Sequence, residues 1–284
     1  MSGRRVAVIG ATGNVGRALA DALLEHGFEV IAVARTRTRL RLLGDGVQAH
    51  PVDLGQDDGA LREALRAAEC VVNVAHAKFT RGIISALPGP GTRLITLGST
   101  RKFTRFPDQK AAEVQDAEAA HAQGVNRLIL HPAMIYGGSD NNISRVLKIV
   151  RWLPLVPLPL HGGALLQPIH RDDVVQCLLA AINRDTGNAP MILAGAMAMT
   201  YTQVILSCAR LTGRRVKIIS VPLWGMLGLA WLTRLIPGVP SIARDEVRRL
   251  LEDKAFDIAP MRDRLGVTPC TFEEGLARMG LPVQ

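Results

Sequence analysis

Strand-like runs rich in Val, Ile, Leu and Ala recur through the first half of the chain at 4–10, 29–35, 47–54, 70–76, 92–99 and 127–136, and all but 47–54 hold stretches apolar at consecutive rather than alternate positions. Unbroken apolar runs of this length read as strands covered on both faces. Amphipathic segments lie between them. Those at 14–26 and 107–123 each stop at a glycine, Gly27 and Gly124, and the second is expected to carry Pro107 in its first turn. Strands alternating with helices predict an α/β architecture, a doubly wound parallel sheet with helices on both faces. The texture changes near residue 138. Trp152-Leu153-Pro154-Leu155-Val156-Pro157-Leu158-Pro159-Leu160 reads as a proline-broken apolar loop. Helices are expected at about 171–183, 200–212, 222–236 and 241–254, and short strands at about 190–194 and 216–220. The division implied is a core over 1–137 and a smaller α/β lobe over 138–284, interleaved with the last sheet strands.

The first strand runs straight into a glycine-spaced turn and a helix, Val6-Ala7-Val8-Ile9-Gly10-Ala11-Thr12-Gly13-Asn14-Val15-Gly16. In that setting the glycines leave room for a pyrophosphate, and the helix N-terminus offers its free N–H groups and positive dipole end. Gly10, Thr12, Gly13, Asn14, Val15 and Gly16 are therefore candidate cofactor-binding residues in a Rossmann-type core. The second strand ends in Arg35-Thr36-Arg37-Thr38-Arg39, and no acid occurs from Val30 to Gly44. A carboxylate there would hold the ribose hydroxyls of NAD, whereas guanidinium groups can pair with a 2′-phosphate. Arg35 first, then Arg37 or Arg39, point to NADP(H), with NAD(H) as the alternative.

The spacing Gly10-x-x-Gly13-x-x-Gly16 with Thr12 inside it resembles the short-chain dehydrogenase/reductases. Later segments place the resemblance in the extended and atypical branch, often labelled NAD-dependent epimerase/dehydratase: Gln167 to Val175, and Asp257-Ile258 through Leu276. The resemblance implies an adenine contact at Asp53-Leu54, although Asp53 could equally cap the next helix. It also implies that Val74, Ala75 and His76 pass the adenine ribose, with His76 open to being a plain loop residue, and that Pro132 lies beside the cofactor. For catalysis it implies Ser99 as the carbonyl-polarising hydroxyl and Lys110 as the lysine that holds the nicotinamide ribose. The segment Phe106-Pro107-Asp108-Gln109-Lys110 departs from the family pattern, because phenylalanine stands where the proton-donating tyrosine belongs. Tyr136, in His131-Pro132-Ala133-Met134-Ile135-Tyr136-Gly137, is one substitute donor kept open and is otherwise structural; Lys102 and a water held by Ser99 and Lys110 are the others. His170 is expected at the pocket rim, with Asp172 and Asp173 capping the helix that follows.

Composition adds limits. At 284 residues and 48% hydrophobic the chain can bury one large core. The four cysteines have no metal-ligand spacing, so no metal site is expected, and they read as reduced thiols of a cytoplasmic protein. Neither a signal peptide nor a membrane-spanning run is expected. The net charge of +9 is not assigned to nucleic acid, because much of the local excess is explained by the cofactor arginines. The stretch 222–237 is apolar nearly all round and, with 152–160, could line a pocket, be buried or rest on a membrane surface. The function expected is an NADP(H)-dependent oxidoreductase acting on a small or apolar carbonyl substrate. A regulatory or assembly protein that only binds the dinucleotide is the competing reading, a sugar-nucleotide enzyme a weaker one, and a second copy of the chain remains open as a partner.

Overall fold

The computed structural model describes residues 3–222, 224–226, 228 and 248–279. Its first half alternates as the apolar runs require: β1 (Arg5–Ile9), α1 (Asn14–Glu25), β2 (Glu29–Ala34), α2 (Arg37–Leu40), β3 (Val47–Pro51), α3 (Asp58–Leu65), β4 (Cys70–Asn73), α4 (Thr80–Ser85), β5 (Arg93–Leu97), α5 (Gln109–Ala122) and β6 (Arg127–Pro132). There follow β7 (Ile135–Tyr136), α6 (Ile143–Trp152), β8 (Leu155–Leu158), β9 (Leu165–Leu166), β10 (Ile169–His170), α7 (Arg171–Asn183), β11 (Met191–Leu193), β12 (Met199–Thr200), α8 (Tyr201–Leu211) and β13 (Lys217–Ser220). Two short helices come last, α9 (Ala259–Leu265) and α10 (Phe272–Arg278).

The central sheet has seven strands in the order β11-β6-β5-β4-β1-β2-β3, and every pair is parallel. The winding direction reverses between β1 and β4. At such a switch point the loops leaving the carboxyl ends diverge and open a crevice. The fold is thus the Rossmann-like α/β architecture expected. Both sheet faces are buried: Val6, Val8, Leu19, Val72, Leu178 and Met261 share one core, and Ala7, Ile9, Leu65, Val71 and Leu94 share the other. The C-terminal half adds β11 to the sheet and α7 to the first core, and also builds its own core from Tyr136, Leu147, Val156, Val204 and Phe272.

Four expectations are corrected. The proline-broken stretch 152–160 is not all loop. Residues Leu155–Leu158 form β8, paired in parallel with β13 some sixty positions later, a partnership no local signal reveals. Pro107 lies ahead of α5 rather than in its first turn, because Asp108 accepts a hydrogen bond from the Ala111 amide at 2.9 Å and so sets the cap one residue later. The cap of α7 is His170, whose Nδ1 accepts from the Asp172 amide at 3.2 Å, and not the Asp172-Asp173 pair. The helix expected at 222–236 lies mostly outside the described residues, as does 241–247; the helix expected to run on to 254 is corrected, because the chain leaves helical geometry after Arg249 and residues 250–254 form a turn and an irregular strap. Among the described residues no helix is long and apolar enough to cross a membrane.

Candidate functional site

The crevice at the switch point holds a cavity of about 420 Å3 over the carboxyl ends of β1, β2, β3 and β4. Gly10, Thr12, Gly13, Arg35, Asp53, Leu54, Val74, Ala75 and His76 line it. The local backbone explains why glycines stand here. Gly10 has φ +88°, and a Cβ on it would sit 2.9 Å from the Ala75 amide nitrogen. A Cβ on Gly16 would fall inside the Gly10 carbonyl, so that glycine lets α1 cross the turn closely. The α1 N-terminus has no side-chain cap and no acid in its first turn, so its free N–H groups face the cavity end uncompensated. A diphosphate fits this cradle by charge and by space.

At the far end of the cavity, Asp57 accepts the Ala60 amide at 2.9 Å and caps α3. That removes the capping alternative for Asp53, which lines the groove. Arg35 also lines it, with no ion-pair partner among the described residues. Arg37 and Arg39 lie exposed on α2 and do not reach the cavity wall. Asn14 turns away from the groove and ties the α1 start to the loop after β7. Its Nδ2 donates to the Gly137 carbonyl at 2.9 Å, and its Oδ1 accepts from the Ser139 amide at 2.9 Å. Val15 packs on the core. Lys78 and Phe79 line the groove as well, and sequence reasoning missed them because they follow the β4 motif on a short helical turn.

A second cavity of about 480 Å3 opens beyond the carboxyl ends of β5 and β6. Ser99 and Pro132 lie on its wall. Ser99 Oγ accepts from the Arg101 amide at 3.1 Å, and Thr100 Oγ1 donates to the Pro132 carbonyl at 3.3 Å. Arg101, Phe103, Arg105, Met134 and Ile135 continue the wall, and one side of it comes from far along the chain: Arg249, Glu252, Asp253, Lys254 and Phe256. This strap is tied down at several points. Glu252 Oε1 accepts from Thr104 Oγ1 at 2.7 Å and from the Arg105 amide at 2.5 Å, and Asp253 Oδ1 accepts from the Leu165 amide at 2.8 Å. Arg249 pairs with Asp108 at 3.4 Å, and Asp108 is also held by Arg101. Burial, and then the nearby Arg249 and Arg101, pull the Lys254 ammonium below the usual lysine range, against the pull of Glu252.

The other candidate catalytic residues lie off the walls of both cavities. Phe106 is exposed and precedes the Asp108 cap, so Phe106 and Lys110 do not share a helical face. Lys110 is exposed in the first turn of α5 and is not on the cavity wall. Tyr136 is buried in the second core, where its hydroxyl donates to the Phe272 carbonyl at 3.4 Å and its ring packs on His170 and Phe272. Burial drives its pKa up, and the hydroxyl lines neither cavity. His131 sits under Gly98, its Nε2 3.0 Å from Glu118, which also binds Lys102. Burial, and then Lys102, keep it neutral. No cluster of metal-ligating side chains forms among the described residues, and burial pushes the Cys70, Cys177 and Cys208 thiols up to about 12.

Residues 10–150 match the sequence family described as NAD(P)H-binding. An uncharacterized protein of Mycobacterium tuberculosis (strain ATCC 25618 / H37Rv) is 27% identical over 99% of this chain, and the chain spans 30% of that relative's length. An NADPH-dependent quinone oxidoreductase from Escherichia coli, complexed with NADPH, shares the fold with TM-score 0.75 at 19% identity, covering 97% of this chain and 100% of that one. The UDP-glucose 4-epimerase of Thermus thermophilus, in complex with NAD, aligns with TM-score 0.68 at 17% identity over 96% of both chains. Residues 10–150 thus match an NAD(P)H-binding family, and the chain as a whole shares the Rossmann-like α/β fold of these solved structures.

Proposed function

We propose that this NAD(P)H-binding chain is an NADP(H)-dependent oxidoreductase that reduces a small, largely apolar carbonyl or quinone compound in the cavity beyond β5 and β6. The observation that carries the reading is the adjacency of the two cavities on neighbouring strands. One is a phosphate cradle ending at the unpaired Arg35, and the other holds a serine hydroxyl and a lysine among Phe103, Met134, Ile135 and Phe256. NADPH, when bound, would supply the hydride. Ser99 already accepts the Arg101 amide, which leaves its O–H to donate to a substrate oxygen. The reduced oxygen must then take up a proton. With Tyr136 buried and Phe106 carrying none, Lys254 is the donor this reading assigns, and its lowered pKa favours the transfer. The strap that carries Lys254 forms one wall of the cavity. The diphosphate-binding sugar-nucleotide reading loses ground with the family tyrosine.

The test is NADPH oxidation across aldehydes, ketones and quinones. Turnover with apolar acceptors is expected, and Lys254→Met should lower kcat by about 10²-fold or more with cofactor affinity retained. Because the ammonium is the donor, kcat should fall as pH rises through the lowered lysine pKa. Saturable NADPH binding without turnover on any acceptor would overturn the enzyme reading. It would favour a dinucleotide-binding regulatory or assembly protein, the reading that the phenylalanine at 106 supports.

A further inference from the structure

The positive charge of this chain is segregated. Neither Asp nor Glu occurs from 141 to 171 or from 186 to 244. These segments build the β8–β13 ladder. Its register pairs Leu155 with Lys217 and Pro157 with Ile219, and strand alternation sends Val156, Leu158 and Ile218 inward to the second core. The outward face keeps Leu155, Lys217 and Ile219 exposed. Because the two strands are parallel, their leading ends lie side by side. Lys148, Arg151 and Trp152 precede one strand, and Arg214 and Arg215 precede the other, all exposed. Trp152 is 83% exposed, and Trp224, just past the trailing end of β13, is 78% exposed. Tryptophan so bare of protein is unusual, since the indole is a large apolar body with one polar handle.

We propose that the outward face of the β8–β13 ladder docks on an anionic phospholipid bilayer. Exposed tryptophans settle at the depth of lipid headgroups, aliphatic side chains enter the acyl boundary, and cations are drawn to negative headgroups. The face offers all three with no carboxylate in its own segments. A second copy of the chain fits it poorly: a two-fold contact would set Arg151, Arg214, Arg215 and Lys217 against the same four cations. Docking is independent of the proposed reaction.

Co-sedimentation with vesicles tests it directly. The full chain is expected to sediment with equimolar phosphatidylcholine and phosphatidylglycerol, to stay in solution with phosphatidylcholine alone, and to be released by raised salt. Arg151→Glu with Lys217→Glu should weaken the partition at least about tenfold, and Trp152→Ser should weaken it further, with thermal midpoint and cofactor affinity unchanged. Equal binding to neutral and anionic vesicles, or no binding to either, overturns the proposal. So does a concentration-dependent dimer that the same substitutions abolish in a chain that ignores lipid.

Discussion

Gly13 and Gly16 are equivalent letters in one motif and serve different ends. A Cβ on Gly16 would meet the Gly10 carbonyl and lie 2.9 Å from Ala11 Cα, so the fold itself needs that glycine. At Gly13 the nearest atom to a Cβ is the Gly10 oxygen at 3.2 Å, and the space beyond belongs to the groove. Gly13→Val should therefore leave the thermal midpoint nearly unchanged while lowering dinucleotide affinity on the order of 10²-fold or more, as the side chain takes the pyrophosphate's place. Gly16→Val should cost about 1–3 kcal/mol of stability through overpacking. Melting curves and calorimetric titration of both variants separate the two roles. The same scale distinguishes Asp53 from Asp57: Asp53 could cap the next helix on sequence grounds, and the hydrogen bond to the Ala60 amide gives the cap of α3 to Asp57 instead.

Among the elements, α5 decides what the catalytic motif can be. Its pattern was legible, but its start depends on Asp108, which caps the helix and binds Arg101 and Arg249 together. With the cap there, Phe106 falls outside the helix and a tyrosine at that position would not stack one turn before Lys110. Asp108→Ala should destabilise the chain by about 1–2 kcal/mol from the cap, with loosening of the 249–254 strap in addition. The Arg101 hydrogen bonds, then the Ala111 amide and Arg249, hold the Asp108 carboxyl below the usual carboxylate range. A depressed folded-state pKa contributes stability above the unfolded value and loses it as pH falls through the folded value. Urea melts should thus show the full difference between wild type and variant at neutral pH, and a smaller one once the pH has fallen through the depressed folded-state pKa.

For the whole molecule, cofactor binding and stability are linked. At a NADPH concentration about a hundredfold above Kd, binding adds about 2.7 kcal/mol, or a rise in thermal midpoint of roughly 5–10 °C for a chain of this size. NADH at the same concentration should raise it less. Arg35→Glu removes the cation that lines the groove and should cost about 1.5–3 kcal/mol of NADPH binding, bringing the two shifts together. Equal shifts in the wild type would mean that Arg35 does not distinguish the cofactors.

The apolar runs and the glycine turn determined the parallel sheet and the place of the phosphate cradle. Those signals are local: periodicity, a tight turn and a helix start are written in neighbouring residues. Tertiary structure alone decided the second cavity, since Glu252 reaches Thr104 across 148 positions and β8 finds its partner in β13. It also decided the fate of Tyr136, because whether a hydroxyl faces a cavity or a core depends on what packs over it, and here Phe272 and Gly275 of α10 close that space.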